Sequence, residues 1–161
     1  MTGRLTAAAT PVKFIQDNGE ETQEYWISPL TDKDFDEIDE WLQARLLSIA
    51  RKSLPPEATR EEREELLSIA TREAAKITWT MPAGRQSMST IPGIAHIAWV
   101  SLRKRHPGIT EDYLRELFFV DLENLKRAND AMGVVNSPMI KSAEEITNNE
   151  AKKAKRQRRR R

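Results

Sequence analysis

The side chains of this sequence that could move a proton, hold a metal or cradle a phosphate are scattered. Two histidines, His96 and His106, stand ten residues apart, lack the His-Glu-x-x-His spacing, and have no cysteine to help close a zinc site. His96 therefore reads as a core-edge histidine with one hydrogen bond, and His106 as a helix-end group that satisfies terminal carbonyls. Asp34, Asp36, Asp39 and Glu40 make a carboxylate cluster, but first-turn acids and a solvated helix face account for it, and no partner constellation accompanies it. The stretch holding Gly84, Arg85, Ser87, Ser89 and Thr90 is suited to a phosphate only in composition. It lacks the glycine spacing and the Lys-Ser/Thr ending of a P-loop. The reading is of a non-enzymatic protein with no catalytic, cofactor-binding or metal residues.

Basic residues raise a different chemistry. Arg103, Lys104 and Arg105 are suited to phosphate contacts, but the last turn of a helix favours cations by about 0.3–1 kcal/mol each, and that local role is the expected one. The end of the chain is more one-sided. Lys152, Lys153, Lys155, Arg156, Arg158, Arg159, Arg160 and Arg161 are candidate electrostatic contacts within AKKAKRQRRRR, which has no acidic residue. They leave 18 basic against 25 acidic side chains in residues 1–150, a net charge of −7 behind an overall +1. Like charges repel and nothing apolar anchors them, so this tail is expected to be disordered unless bound. It fits a nucleic acid or other polyanion, an electrostatic handle for an acidic protein, and an incidental terminus equally well; with no aromatic to stack a base, sequence-specific reading is not expected.

The elements that carry these residues read mainly as helices. A chain of 161 residues supports one domain. No apolar run approaches membrane-spanning length and no signal peptide is evident, so a soluble, unsecreted protein is expected. Residues 1–10 read as a flexible lead, 11–133 as a single domain, and 134–161 as a mobile extension ending in the basic tail. PVKFIQ and TQEYWI flank Asp17-Asn18-Gly19-Glu20, where Asn-Gly favours a two-residue hairpin turn; Phe14, Tyr25 or Trp26 must then cover a helix. Thr31 is the predicted N-cap of a first helix, with Leu30 stapled to Phe35 and an inner face of Phe35, Ile38, Trp41 or Leu42, Leu46 and Ile49. Thr59 and Glu62 have capping-box spacing for a second helix whose face is Leu66, Ile69, Ala70, Ala74, Ile77 and Met81. MPAGRQSMSTIPG reads as a connector.

From Ile94 to Leu102 apolar residues cover nearly the whole circumference, with His96 and Arg103 on the polar stripe, so this helix is buried among others and stops near Arg105 or His106, before Pro107-Gly108. Thr110 caps a last long helix carrying Leu114, Leu117, Phe118, Leu122, Leu125, Ala128 and Met132, with Gly133 as C-cap. The expected architecture is an N-terminal β-hairpin followed by a bundle of about four helices. Trp41, Trp79, Trp99 and Met88 are suited to an apolar client groove, though aromatics at helical spacing more often fill the core.

The order of these segments, with YWISPLTDKDFDEIDEWL and LRKRHPGITEDYLREL as its most specific phrases, resembles the tail assembly chaperones of long, non-contractile-tailed bacteriophages over about residues 11–133. Trp99, Leu102, Arg103, Lys104, His106, Pro107, Ile109 and Thr110 carry the resemblance furthest, and Ser28-Pro29-Leu30-Thr31 is second. The resemblance implies a protein that binds the helical, aggregation-prone tape measure protein and helps tail tube subunits polymerise around it. It also implies action in the host cytoplasm and absence from the finished particle. Many such genes make a longer frameshifted product, and this chain corresponds to the shorter form. The arginine-rich end departs from the family pattern, and the signature reads as fold rather than contact surface. A nucleic-acid-binding protein acting through the tail and a virion structural protein, such as a connector or minor tail protein, are the other classes the sequence admits.

Overall fold

The computed structural model describes residues 9–133, which form a two-stranded antiparallel hairpin packed on helices. The basic tail and most of the lead lie outside the described residues, whereas Thr10, read as part of that lead, belongs to the first strand. Strand β1 (Thr10–Val12) pairs with β2 (Tyr25–Ile27) in the register Thr10 to Ile27 and Val12 to Tyr25. The turn differs from the two-residue form expected. Gly19 N–H donates to Gln16 O and Gln16 N–H to Glu20 O, and only Gly19 has positive φ, at 81°. This is a three-residue loop closed by a glycine bulge, in which Asn18 keeps ordinary dihedrals and its side chain instead accepts Glu20 N–H at 3.0 Å. Tyr25 and Ile27 face inward while Trp26, between them, is 37% exposed, as period-two alternation requires.

Helix α1 (Asp32–Lys52) starts at the expected Thr31, which shares a full capping box with Asp34; α2 (Arg60–Ala74) starts at Thr59 with the same box to Glu62. Between them Arg63 reaches back to the carbonyls of Pro55, Pro56 and Ala58, tying the loop to α2. The expected connector is not all loop. Residues Pro82–Met88 form a short helix, α3, with Pro82 in its first turn, where a missing N–H is harmless. Helix α4 (Ile91–Leu102), capped by Thr90, is the centre of the molecule: from Gly93 to Leu102 every residue but Trp99 is buried. It packs on α1, α3, β2 and α5 (Glu111–Val120).

The last long helix is two. Its backbone turns extended at Asp121 (φ −146°, ψ 118°), and a new helix, α6, is described over 122–133. Asp121 serves as its cap, its carboxylate accepting Glu123 N–H at 2.8 Å and its carbonyl Asn124 N–H. The break rotates the phase, so Leu122, expected inside, is 66% exposed, and Asn124 takes an inward place with no exposure. Asn124 is satisfied there. Its amide donates to the carbonyls of Ile15 and Leu117 at 2.7 and 2.9 Å and its oxygen accepts Ile15 N–H at 2.6 Å, so one side chain ties the hairpin to the α5–α6 corner. Gly133 is itself helical rather than a C-cap.

The core joins Phe14, Ile27, Ile38, Leu42, Val100, Leu102, Leu114 and Phe118, all with no exposure. Phe14 meets Phe118 edge-on with centroids 5.8 Å apart, so the hairpin does cover a helix. Two glycines make the approach around α3 possible. A Cβ at Gly84 would lie 1.9 Å from Thr78 O, and one at Gly93 2.3 Å from Met88 O, whereas one at Gly108 would meet nothing within 4 Å.

Gly84→Ala and Gly93→Ala should therefore each lower the unfolding free energy by about 1–3 kcal/mol, the overpacking exceeding the roughly 1 kcal/mol that alanine gains in helix propensity. Gly108→Ala should stay within about 0.5 kcal/mol of the parent. Urea denaturation of the three variants checks this, and unchanged midpoints for the first two would refute the close approach.

Candidate functional site

Helix α4 is apolar on nearly all sides, so its polar anchoring is concentrated where it ends. Its last carbonyls are met by backbone: Leu102 O accepts both Arg105 and His106 N–H, and Trp99 O accepts Arg103 N–H. The helix stops at Leu102, three residues before the expected position. The cationic side chains are freed from local capping and act at long range. Arg103 donates through both terminal nitrogens to the Glu37 carboxylate of α1, one bond at 2.8 Å, and its guanidinium lies 4.4 Å from the centre of the Trp99 ring. Donating to the Glu37 carboxylate raises the Arg103 pKa above the ordinary arginine value. Lys104 donates to Pro29 O at 2.8 Å and to the carboxylate of Asp34. Both residues were expected to serve the helix dipole; the structure corrects this, because Asp34 and Glu37, three apart on α1, present two anions to the end of α4.

His106 is corrected in the same way. Its ring does not cap a carbonyl: Nε2 accepts Trp26 N–H at 2.9 Å, which places the ring proton on Nδ1, and Tyr25 packs on it edge-on at 5.1 Å. Beside it Ser28 N–H donates to Ser101 O at 3.2 Å. The phrases from Tyr25 to Leu42 and from Trp99 to Thr110, some seventy positions apart, thus face each other across a polar seam (for Lys104 and Asp34 the separation is 70). The remaining signature residues close it: Trp99 Nε1 donates to the carbonyl of buried Ile109 at 3.2 Å, Thr110 caps α5, and Pro107 and Gly108 form the exposed bend.

The acidic cluster dissolves into structural tasks. Asp34 is the first-turn acid expected, but it is only 6% exposed, and Asp39, expected on a solvated face, accepts Trp79 N–H at 2.7 Å; only Asp36 and Glu40 face solvent. Burial pushes the Asp34 carboxyl up, but Lys104 and the Thr31 N–H and hydroxyl outweigh burial and hold it below the usual aspartate value. His96 is buried as expected, with Nδ1 3.0 Å from Glu111 Oε2 and its ring stacked on Trp41 at 4.5 Å. Gly84 to Thr90 form α3 and the cap of α4 rather than a phosphate loop. Among the described residues no group of three or more His, Asp or Glu side chains is placed to hold a metal ion. A cleft of about 600 Å³ opens beside the seam, lined by Gln23, Tyr25, Arg105, His106, Pro107 and Tyr113 among others. Burial there pushes the Tyr113 phenol up, aided by its hydrogen bond with Tyr25.

Met88 lies in the core, and the tryptophans Trp41, Trp79 and Trp99 pack partly buried against it. The uncovered apolar surface lies elsewhere. Among the elements from β1 to α5, helix α2 packs only on α1, and it buries only Ala74; Leu66 and Ile69, predicted to face inward, are 43% and 46% exposed, and Ile49 at the far end of α1 is 49% exposed. Ile77 and Met81, expected on the same helix, lie beyond its end at Ala74. None of the strands and helices from β1 to α5 packs as a third layer over the α1–α2 arm. No helix among the described residues is long and apolar enough to cross a membrane. No family model, curated protein or solved structure matches the chain.

The seam has a pH signature. Asp34 has a depressed folded pKa, so its contribution is complete above the ordinary aspartate value of about 4 and is lost as pH falls through the lower folded value. Lys104→Met should lower stability by about 1–3 kcal/mol at pH 7 and by progressively less as the pH is lowered below about 4 and Asp34 takes up its proton. Urea titrations across that range measure this; a loss that stays constant would show that the ion pair is not what Lys104 contributes.

Proposed function

We propose that this protein is a tail assembly chaperone of a long-tailed phage, binding helices of the tape measure protein and assisting tail tube assembly without catalysis. The resemblance of the Ser28–Thr31 and Trp99–Thr110 phrases to that family is the first support. The observation that carries the reading is the α1–α2 arm. Leu66 and Ile69 on α2 and Ile49 on α1 stay about half exposed. Their helices are nonetheless well specified by two capping boxes. An apolar face that is not needed to fold its own domain suits an aggregation-prone amphipathic helix, which loses exposed apolar surface on docking. The net charge of −7 over residues 1–150 keeps such a protein soluble while the face stays open. In this reading the protein works in the host cytoplasm, meets tube subunits during assembly, and leaves before the particle is complete.

Co-expression with the tape measure protein of the same genome should bring that protein into the soluble fraction and into a co-purifying complex. Leu66→Ser with Ile69→Ser should abolish both effects while the thermal midpoint holds. A client equally insoluble with and without the chain, and not co-purifying, would end the chaperone reading, as would finding the chain by mass spectrometry in purified virions.

A further inference from the structure

The second apolar exposure lies at the other side of the molecule's chain order, at the α5–α6 corner. Phe119 and Val120 at the end of α5 are 70% and 51% exposed, and Leu122 at the start of α6 is 66% exposed, the most open large apolar side chains among the described residues. They are not core residues that failed to fit. The inner face of α5 is already filled by Leu114, Leu117 and Phe118, and the extended residue Asp121 turns Leu122 outward while Asn124 turns in. Helical spacing puts Asp112, Arg115, Glu116, Phe119 and Val120 on the opposite side of α5, and Glu123 follows Leu122, so the rim carries three acids against one half-buried cation, Arg115. The rim is therefore acidic. Asp112 has only a loose pair with Arg115 at 3.6 Å, Glu123 one at 3.8 Å with Arg127, which is committed to Lys13 O and Glu21, and Glu116 has no ion pair among the described residues. Lys126 is the single exposed cation beside Leu122.

We propose that Phe119, Val120 and Leu122 form a docking surface for a partner helix whose apolar stripe is flanked by lysine or arginine. Charge complementarity selects this occupant. In a symmetric contact with a second copy, each rim of Asp112, Glu116 and Glu123 would meet its own like charges, whereas a basic-flanked helix meets opposite ones. The break at Asp121 is what adds Leu122 to the exposed Phe119 and Val120, and an aromatic at the centre of such a patch is the side chain on which binding most depends. The surface is separate from the α1–α2 face, so it stands or falls independently of the chaperone reading.

Two synthetic amphipathic helical peptides, with one leucine stripe flanked by lysines in the first and by glutamates in the second, test it on the isotope-labelled full chain by NMR titration. The lysine peptide should bind with shifts centred on residues 112–123 and the glutamate peptide should not. Phe119→Ser with Leu122→Ser should weaken the lysine peptide at least tenfold, and Glu116→Lys severalfold, with the amide spectrum otherwise unchanged. Equal binding of both peptides, full affinity in the serine variant, or shifts confined to Ile49, Leu66 and Ile69 would overturn the proposal. So would a dimer of the parent chain, by sedimentation, that the serine variant dissolves, or a tenfold gain in affinity on removing residues 152–161, which would make the chain's own tail the occupant.

Discussion

Asp34 and Lys104 meet at the point on which the rest of the fold turns. A helix like α4, apolar around nearly its whole surface, has almost no polar handle along its length, so what fixes its depth and rotation must come from its ends. Asp34 supplies one such anchor while completing the cap of α1: the same carboxylate accepts the Thr31 N–H and hydroxyl and the Lys104 ammonium. Glu37 and Arg103 repeat the connection one turn on, and the Trp26–His106 and Ser28–Ser101 bonds extend it to the hairpin. Because Asp34 is nearly buried, removing its cation leaves a charge that water reaches poorly, and the pair acts more as a specifier of this arrangement than as a source of stability.

That anchoring determines which surfaces remain open. With α4 held by α1, α3, α5 and β2, the hydrophobic core closes without α2, which among α1–α5 packs on α1 alone, and without the outer side of α5. Both are held in place by well-satisfied backbone: capping boxes and the Arg63 bonds at the arm, the Asp121 cap and the Asn124 clamp at the corner. Apolar side chains on rigid supports bind with little ordering cost, which is the physical requirement of the helix-binding role proposed above.

Much of this was legible in the chain. Thr31, Thr59 and Thr110 cap helices as acids in the following turn mark them, and the buried helix is plain from composition from Ile94 to Leu102, whereas its start at Thr90 falls in the stretch read as a connector, where Pro92 and Gly93 look like breakers. Other features failed for identifiable reasons. Arg103 and Lys104 satisfy a local rule, the preference of helix ends for cations, so the sequence offers no sign that anions from far away take them. Leu66 and Ile69 have the period of a buried face, but periodicity says only that a face is apolar, not that the chain supplies a cover. Asn124 could have been found: it falls on the inward stripe with Leu117 and Ala128, where a polar residue signals a partner, and Asp121 three residues before it is a capping residue inside an assumed helix.

Native-state hydrogen exchange tests the role of the seam most directly. If the seam joins hairpin, α1 and α4 into one cooperative unit, the Trp26 and Ser28 amides should exchange with the same opening free energy as the Ile97 and Ala98 amides of α4, and those of Leu67 and Ala70 in α2 should exchange faster. Exchange of Trp26 and Ser28 as fast as that of α2, with α4 still protected, would mean that the hairpin opens alone and that the seam does not hold the molecule together.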